Sequence, residues 1–479
     1  MRLRKAAFAG FRFQLYLKVF SVASHQLGSL VLAVLLAPRD FAIVGLATVF
    51  VGFSSSLADF GLGSAVIQRS GSSATAISTG ATLRLLLAII GILSLAIAAP
   101  WIAGLYNAGE LTGVIWALSL LLVLSFAGFA SRVALTKSLS FKQVFMPEVA
   151  GGAVTTFSSI GLAFLGWSYW SLVVGSLLGA SVNVLWLYLL SPWELGLHLD
   201  RRVASELLRF GLPLVVAGLL ASLFGAFGVA VLGIINFSDL GFYLFAFTWG
   251  VSVPLGIHTS VDNVMFPVYS AMQMDKNRIR TAFLTTSEQL ARVVIPMGVF
   301  FSVAAPTFII SLVGQKWMSS VPMLRVLGGA GTVLVLSAAY QSLAVSLGHP
   351  REITLYNAVG LVIVIPLTLA LVPPLGGFGV SLSILGAAAA LIVWASSRAE
   401  RLLHGVLRPL LRIYAVPTVS SIGAGIAVWV LVSVLPVSLF ALGVELAVAA
   451  IAYIALMEIL TGGRFLRQTR ELVASFVGR

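Results

Sequence analysis

The sequence contains no cysteine, so neither a disulfide nor a thiolate metal site can form in this chain. Charge is also scarce: Asp, Glu, Lys and Arg make up 9% of the 479 residues, whereas a soluble globular domain has about 25%. The five histidines follow no metal-ligand spacing, and no grouping of Ser, His and Asp indicates nucleophilic catalysis. We therefore expect no metal, no cofactor and no enzymatic chemistry.

Apolar residues dominate instead: 59% of the chain is hydrophobic, and the mean hydropathy is +1.06. Fourteen apolar windows are long enough to cross a hydrocarbon core of about 30 Å as helices. They cover residues 13–37, 41–66, 81–99, 111–135, 149–166, 168–190, 209–235, 240–263, 289–313, 321–347, 353–373, 376–396, 413–435 and 438–460. We therefore predict an all-α polytopic membrane protein with about fourteen transmembrane helices and no separate soluble domain.

Proline and glycine predict where turns separate the windows. A polar turn beginning at Pro38 separates the first two, Pro100 is predicted to end the third, and Gly376 lies between the eleventh and twelfth. The second window contains one interior charge, Asp59. Because an ionised Asp within a membrane helix costs about 2.5 to 3.5 kcal/mol, Asp59 should face a polar cavity or a partner.

The basic residues predict the orientation, because cytoplasmic loops and helix ends retain Lys and Arg. With the N-terminus inside, all but three of the 29 Lys and Arg residues lie on or near the inner side. The exceptions are Arg39, Lys316 and Arg325. Both termini are therefore predicted to be cytoplasmic. The net charge of +13 reflects this asymmetry; it favours anionic membrane lipids and leaves no reason to expect a nucleic-acid partner.

The chain also contains an internal repeat. A shift of 199 residues places Asp40 on Asp239 and Asp59 on His258. Lobes with an even number of helices enter the membrane from the same side, so the two copies form a parallel repeat. We predict two six-helix lobes at residues 8–195 and 203–400, an additional helix pair at 408–462 and a basic cytoplasmic tail at 463–479.

Several short motifs resemble those of one transporter family. They are LAPRDF and ADFGLGSAVIQR near the start, FKQVFMPEV around Glu148, and DLGFYLFAF, VMFPVYS, VAAP, LVGQKW and SLGHPRE in the second half. Over residues 10–400 the chain is similar to the Wzx-like polysaccharide flippases of the multidrug/oligosaccharidyl-lipid/polysaccharide (MOP) exporter superfamily. Ala42 departs from the family pattern, in which glycine usually follows Asp-Phe.

The resemblance implies a V-shaped, MATE-like pair of lobes around a central polar cavity, with the last two helices flanking a groove for a lipid tail. It implies movement of undecaprenyl-pyrophosphate-linked oligosaccharide repeat units from the inner to the outer leaflet of the bacterial inner membrane, by alternating access. Unassisted flipping is negligible, because each unpartnered sugar hydroxyl costs about 2 to 7 kcal/mol in hydrocarbon. Glycosyltransferases and a polysaccharide polymerase are the further partners that this function implies.

The candidate cavity lining is a sparse set of polar residues in the predicted helices, namely Lys18, His25, Gln26, Asp59, Arg84, His258, Asp262 and Arg292. Arg132, Tyr340 and Gln341 lie lower on their helices. For His25 and Asp59, a purely structural partner on a neighbouring helix is an open alternative. His258 and Asp262, at i and i+4, share one helical face, which suits a mutual hydrogen bond, either structural or part of a gate.

The cations near the inner helix ends are predicted to hold the pyrophosphate through charge-assisted hydrogen bonds. These are Lys18, Arg84 and Arg292. The alternative for all three is that the side chains extend to the inner headgroups and act only as anchors.

Two other functions remain open from the sequence. A cation-coupled drug exporter of the same superfamily would be expected to carry an acidic residue on the first helix, where this chain has Lys18 and His25. A membrane glycosyltransferase or ligase would need reactive groups on outer loops, which here hold few charged residues.

Overall fold

The computed structural model describes residues 24–69, 74–138, 140–192, 198–468 and 470, and in these ranges the secondary structure is helical, without strands. Contacts divide the chain into two compact units, residues 1–241 and 242–479. The first unit contains α1 (Ser24–Leu35), α2 (Pro38–Asp59), α3 (Leu62–Gln68), α4 (Ala74–Leu105), α5 (Glu110–Ala127), α6 (Phe129–Lys137), α7 (Phe141–Phe164), α8 (Tyr169–Leu190) and α9 (Arg201–Ile235).

The boundary between the units falls within the next helix, α10 (Phe237–Phe247), which a π-turn (Thr248–Ser252) joins to α11. The second unit continues through α11 (Val253–Ala271), α12 (Lys276–Val313), α13 (Ser320–Ser346), α14 (Arg351–Leu403), α15 (Leu407–Val434) and α16 (Leu439–Leu460). The predicted lobes, residues 8–195 and 203–400, stay a prediction. In the division by contacts α9 belongs to the first unit, because α9 packs on α2, α3 and α4.

Eleven helical segments of the described chain are long and apolar enough to cross a membrane. In this count α2 and α3 form one segment, as do α5 and α6, and α10 and α11. One of them, α14, is 53 residues long and reverses direction at Gly376, where φ is 52°. Its two ends meet, since Arg398 forms an ion pair with Glu352. Counting α14 twice and adding α7 and α1 accounts for the fourteen predicted spans, with the beginning of the first outside the described residues. The all-α polytopic prediction is confirmed.

Two helix starts show how local sequence sets the boundaries. The carboxylate of Asp40, in the first turn of α2, accepts the backbone N–H of Ala37 at 2.8 Å and the hydroxyl of Ser168. Asp200 precedes α9 and accepts the backbone N–H groups of Val203 and Arg202. These hydrogen bonds lower the pKa of the Asp200 carboxyl.

The prediction that Pro100 ends a span was wrong. Pro100 lies inside α4, which continues to Leu105. A proline within a membrane helix removes one backbone hydrogen bond, and neighbouring groups compensate for that loss.

Small residues bring α7 and α8 together. A Cβ added at Gly179 would lie 1.9 Å from Thr155 Oγ1 and 2.4 Å from the carbonyl oxygen of Gly151. Such close approach is typical of membrane helix interfaces, where small residues allow backbones to touch. The contact fixes the relative position of two polar side chains about one turn away from it, Glu148 on α7 and Asn183 on α8.

Candidate functional site

Five polar side chains from five helices of the first unit converge near the ends of α2 and α6 and the beginnings of α4 and α7. They are Asp59, Arg84, Arg132, Glu148 and Asn183. Asp59 is the last residue of α2. The helix is interrupted there, because Phe60 and Gly61 both have positive φ, 44° and 62°. This left-handed turn separates α2 from α3 and ends the helix at the Asp59 carboxylate.

Arg84 and Asp59 form an ion pair. The Arg84 side chain is 13% exposed and that of Asp59 is 52% exposed. The guanidinium carbon lies 5.2 Å from the centre of the Phe129 ring, within cation–π range. In the described part of the chain, Arg84 Nε is buried without a hydrogen-bond partner. Arg84 is therefore held in place on two sides and keeps one donor unused.

The second cation, Arg132, forms an ion pair with Glu148 and donates to Asn183 Oδ1 at 3.4 Å. Both members of this pair are about two fifths exposed, at 42% and 40%. Arg132 thus connects α6 to α7 and α8.

Arg84 and Arg132 line the same cavity of about 470 Å³, together with hydroxyls of Ser64, Ser125 and Thr136. An adjoining cavity of about 420 Å³ shares Arg132 and Asn183 and adds Glu148. The two guanidinium groups are suited to phosphate oxygens, which Arg binds in a bidentate manner. The hydroxyls and the amide are suited to sugar.

The structure brings together two of the predicted lining residues, Asp59 and Arg84, and adds Arg132. His25 and Gln26 lie on α1, near Gly28, where α1 packs against Thr156 of α7. In the described residues, Gln26 Oε1 is buried without a partner. Lys18 lies outside the described residues.

The remaining predicted residues belong to the second unit. His258 is buried on α11, and in the described part of the chain its Nδ1 has no hydrogen-bond partner. The expected bond to Asp262 is therefore not formed through that nitrogen. Asp262 lies one turn further along α11, partly buried.

Arg292 has different surroundings from those expected. Its side chain is 7% exposed, forms an ion pair with Glu288 and donates to Gln468 Oε1 at 2.8 Å. Phe465 covers its guanidinium at 5.4 Å. Its contact with pyrophosphate stays a prediction, and we base the candidate anion site on Arg84 and Arg132.

A second polar cluster lies in the second unit. Glu352 accepts Arg398 Nε at 3.0 Å and the Tyr340 hydroxyl at 2.8 Å. Tyr340 was singled out in the sequence, but its partners were not. Glu148 was also missed as a site residue, because its charge places it just before the apolar window that begins at residue 149. Asn183 gives no hydropathy signal strong enough to separate it from its apolar neighbours.

Comparison with known proteins gives a consistent result. A family model described as "Polysaccharide biosynthesis protein" matches residues 31–322. The teichuronic acid biosynthesis protein TuaB of Bacillus subtilis is 27% identical over 59% of this chain and 59% of its own length. The lipopolysaccharide biosynthesis protein WzxC of Escherichia coli is 25% identical over 68% and 67% of the two lengths. The succinoglycan biosynthesis transport protein ExoT of Rhizobium meliloti is 25% identical over 62% and 60%. The chain thus spans about three fifths to two thirds of these relatives.

Solved structures extend the likeness to almost the whole chain. The lipid II flippase MurJ, in an inward closed conformation, superposes with a TM-score of 0.77 over 94% of this chain and 98% of MurJ, at 13% identity. An inward-facing multidrug resistance MATE transporter of the MOP superfamily superposes with a TM-score of 0.60 over 81% and 98%, at 18% identity. At these identities the similarity concerns the fold.

Proposed function

Because the chain belongs to the family of polysaccharide biosynthesis proteins and has the helical fold of the MOP transporters, we propose that it is a flippase for lipid-linked oligosaccharides. It moves an undecaprenyl-pyrophosphate-linked repeat unit from the inner to the outer leaflet of the bacterial inner membrane, with both termini in the cytoplasm. The observation that carries the proposal is that two arginines, Arg84 and Arg132, line one cavity in a chain with few charged residues.

The two cations suit a pyrophosphate, which presents two adjacent anionic groups. In the proposal each guanidinium donates to phosphate oxygens. The hydroxyls of Ser125 and Thr136 and the amide of Asn183 replace water around the first sugars. The polyprenyl tail stays in lipid, because transferring it into a polar cavity would expose apolar surface.

The carboxylates of Asp59 and Glu148 hold the two arginines in place before the substrate arrives. Exchanging a carboxylate for a phosphate is feasible here, because Asp59 and Glu148 are 52% and 40% exposed. The Arg132–Glu148 pair is exposed on both sides, and exposed ion pairs contribute only about 0 to 1 kcal/mol. In the proposal, the contacts of a dianionic ligand with both arginines contribute more binding free energy than the loss of the two ion pairs costs.

Substitution of the two arginines tests the proposal. We expect Arg84→Gln and Arg132→Gln each to reduce glycan export tenfold or more, because a hydrogen bond to a charged group contributes about 1.5 to 3 kcal/mol. Arg84→Lys should be milder, since it keeps the charge and loses the forked geometry. The measurement is complementation of a flippase-deficient strain at matched membrane levels, with cytoplasm-facing lipid-linked repeat units quantified. Lys18→Gln, at a position outside the described residues, is predicted to behave similarly.

Arg325→Gln is the matched control, because it makes the same change at an exposed residue on the predicted outer side. Normal export by both Arg84→Gln and Arg132→Gln would reject the anion site. A purified protein that extrudes cationic drugs from vesicles, and moves no lipid-linked sugar, would replace the flippase proposal with the drug-exporter alternative.

A further inference from the structure

An acidic residue, Glu445, lies inside the C-terminal helix pair of the second unit. Its exposed fraction is 0%, the lowest of any charged residue in the described chain. One carboxyl oxygen, Oε1, accepts the hydroxyl of Thr307 at 2.9 Å. In the described part of the chain, the other oxygen, Oε2, is buried without a hydrogen-bond partner.

The helices around Glu445 bring no opposite charge to it. Helix α16 packs on α12 and α15, and residues 293–313 of α12 and 413–434 of α15 contain no charged side chain. In the described part of the chain, no ion pair joins Glu445 to a cation.

The other charged groups on these elements lie outside the segments that contain Thr307 and Glu445. They are Lys276, Arg278, Arg280, Glu288 and Arg292 in the first half of α12, Lys316 beyond its end, Arg408 and Arg412 in the first turns of α15, and Glu458 near the end of α16. At 1.5 Å per residue, Arg292 lies about 22 Å along the helix from Thr307, and Glu458 lies about 20 Å from Glu445. Lys316 has its own interactions after the end of α12.

An unpaired carboxylate at this depth is costly, so the buried state of Glu445 carries a proton. The Thr307 contact is compatible with both protonation states, because a carboxylic acid and a carboxylate can both accept from a hydroxyl, the carboxylate more strongly. A glutamine would fill the same space and accept the same hydrogen bond. What the glutamate adds is the capacity to release a proton when water reaches the site.

We propose that Glu445 and Thr307 form a proton-binding site that couples glycolipid transport to a proton gradient. The inference rests on the proposed flippase function. Glu445 is the seventh residue of α16, close to the helix end that is predicted to be external. In the proposal the proton enters from the outside, binds the Glu445 carboxylate and is released to the cytoplasm when water next reaches the site, so that a proton moves inward while the headgroup moves outward.

The test uses purified full-length protein in vesicles that contain the undecaprenyl-pyrophosphate-linked repeat unit. Flipping is followed by enzymatic access to the glycan, with and without an imposed pH gradient, and with a protonophore as reference. We expect the gradient to increase the wild-type rate severalfold and to have no effect on Glu445→Gln. Thr307→Val should shift the pH midpoint of flipping while keeping the gradient response. Glu458→Gln, the same change on the same helix, is the control and should respond as wild type.

Infrared titration provides a readout that does not depend on flipping. The difference spectrum between wild type and Glu445→Gln should contain the carbonyl band of a protonated carboxylic acid, which disappears at alkaline pH. A band that is absent throughout, or a Glu445→Gln variant that keeps the wild-type gradient response, overturns the proton site. Stimulation by a sodium gradient alone overturns it as well. If the band titrates as expected but neither the wild type nor any variant moves the glycolipid, the flippase proposal fails and the proton site stands.

Discussion

At the scale of single residues, two Arg–Glu pairs with the same chemistry have different surroundings. Arg132–Glu148 lies in the first unit at a cavity wall, and both side chains are about two fifths exposed. Arg398–Glu352 lies in the second unit, where Glu352 is 14% exposed and accepts a further hydrogen bond from Tyr340. Trp394 covers Arg398 at 5.6 Å. The first pair is therefore open to exchange with a ligand, whereas the second is suited to holding the two arms of α14 together.

This difference predicts the stability of two matched variants. Glu148→Gln should leave the melting temperature in detergent nearly unchanged, because an exposed ion pair contributes about 0 to 1 kcal/mol. Glu352→Gln should lower it by several degrees, because it removes hydrogen bonds to a charged group worth about 1.5 to 3 kcal/mol. Fluorescence-detected size-exclusion chromatography after heating measures both. Equal decreases in melting temperature for the two variants would mean that the difference in burial does not change how much each ion pair contributes to stability.

At the scale of helices, the apolar windows identified the spans because hydrocarbon requires long continuous apolar runs. The same windows did not identify the places where a helix is interrupted within a span. The window for residues 41–66 conceals the break at Phe60 and Gly61, and that for 240–263 conceals the π-turn at Thr248–Ser252. Neither interruption contains a charged residue, so both stay hidden inside an apolar window. Asp59 could be identified as a site candidate because it is a lone charge, whereas Asn183 and the burial of Arg292 depend on tertiary packing.

The π-turn packs against α13 through two glycines, and this contact gives a test with an internal control. A Cβ added at Gly331 would lie 1.9 Å from the carbonyl oxygen of Gly250, a backbone atom that no rotamer change can move. Gly329, on the same helix, has nothing within 4 Å of its Cβ position. We expect Gly331→Ala to lower the melting temperature, since overpacking costs about 1 to 3 kcal/mol.

Gly329→Ala should leave the melting temperature unchanged or raise it slightly, because Ala favours a helix over Gly by about 0.8 to 1 kcal/mol. If the two alanine variants have the same melting temperature, the close approach at Gly250 does not contribute to stability.

At the scale of the whole molecule, the distribution of charge and the number of crossings must agree. The positive-inside pattern requires an even number of spans if both termini are cytoplasmic. That number depends on α14, whose 53 residues would extend about 80 Å if straight, against a hydrocarbon core of about 30 Å. Contacts within α14 favour two crossings. The rings of Tyr356 and Trp394 lie 6.1 Å apart, although 38 residues separate them in the sequence.

Reporter insertions around α14 test the topology directly. We expect insertions at Gly348 and Gly405, which flank α14, to report the cytoplasm, and an insertion at Gly376, its bend, to report the outside. The control positions are Ser191, predicted inside, and Ala108, predicted outside. A fluorescent protein and alkaline phosphatase should give opposite signals at each position, since one matures in the cytoplasm and the other is active only outside. If Gly348 and Gly405 report opposite sides, α14 crosses once, the C-terminal helix pair is inverted, and Glu445 faces the cytoplasmic half of the membrane instead of the external half.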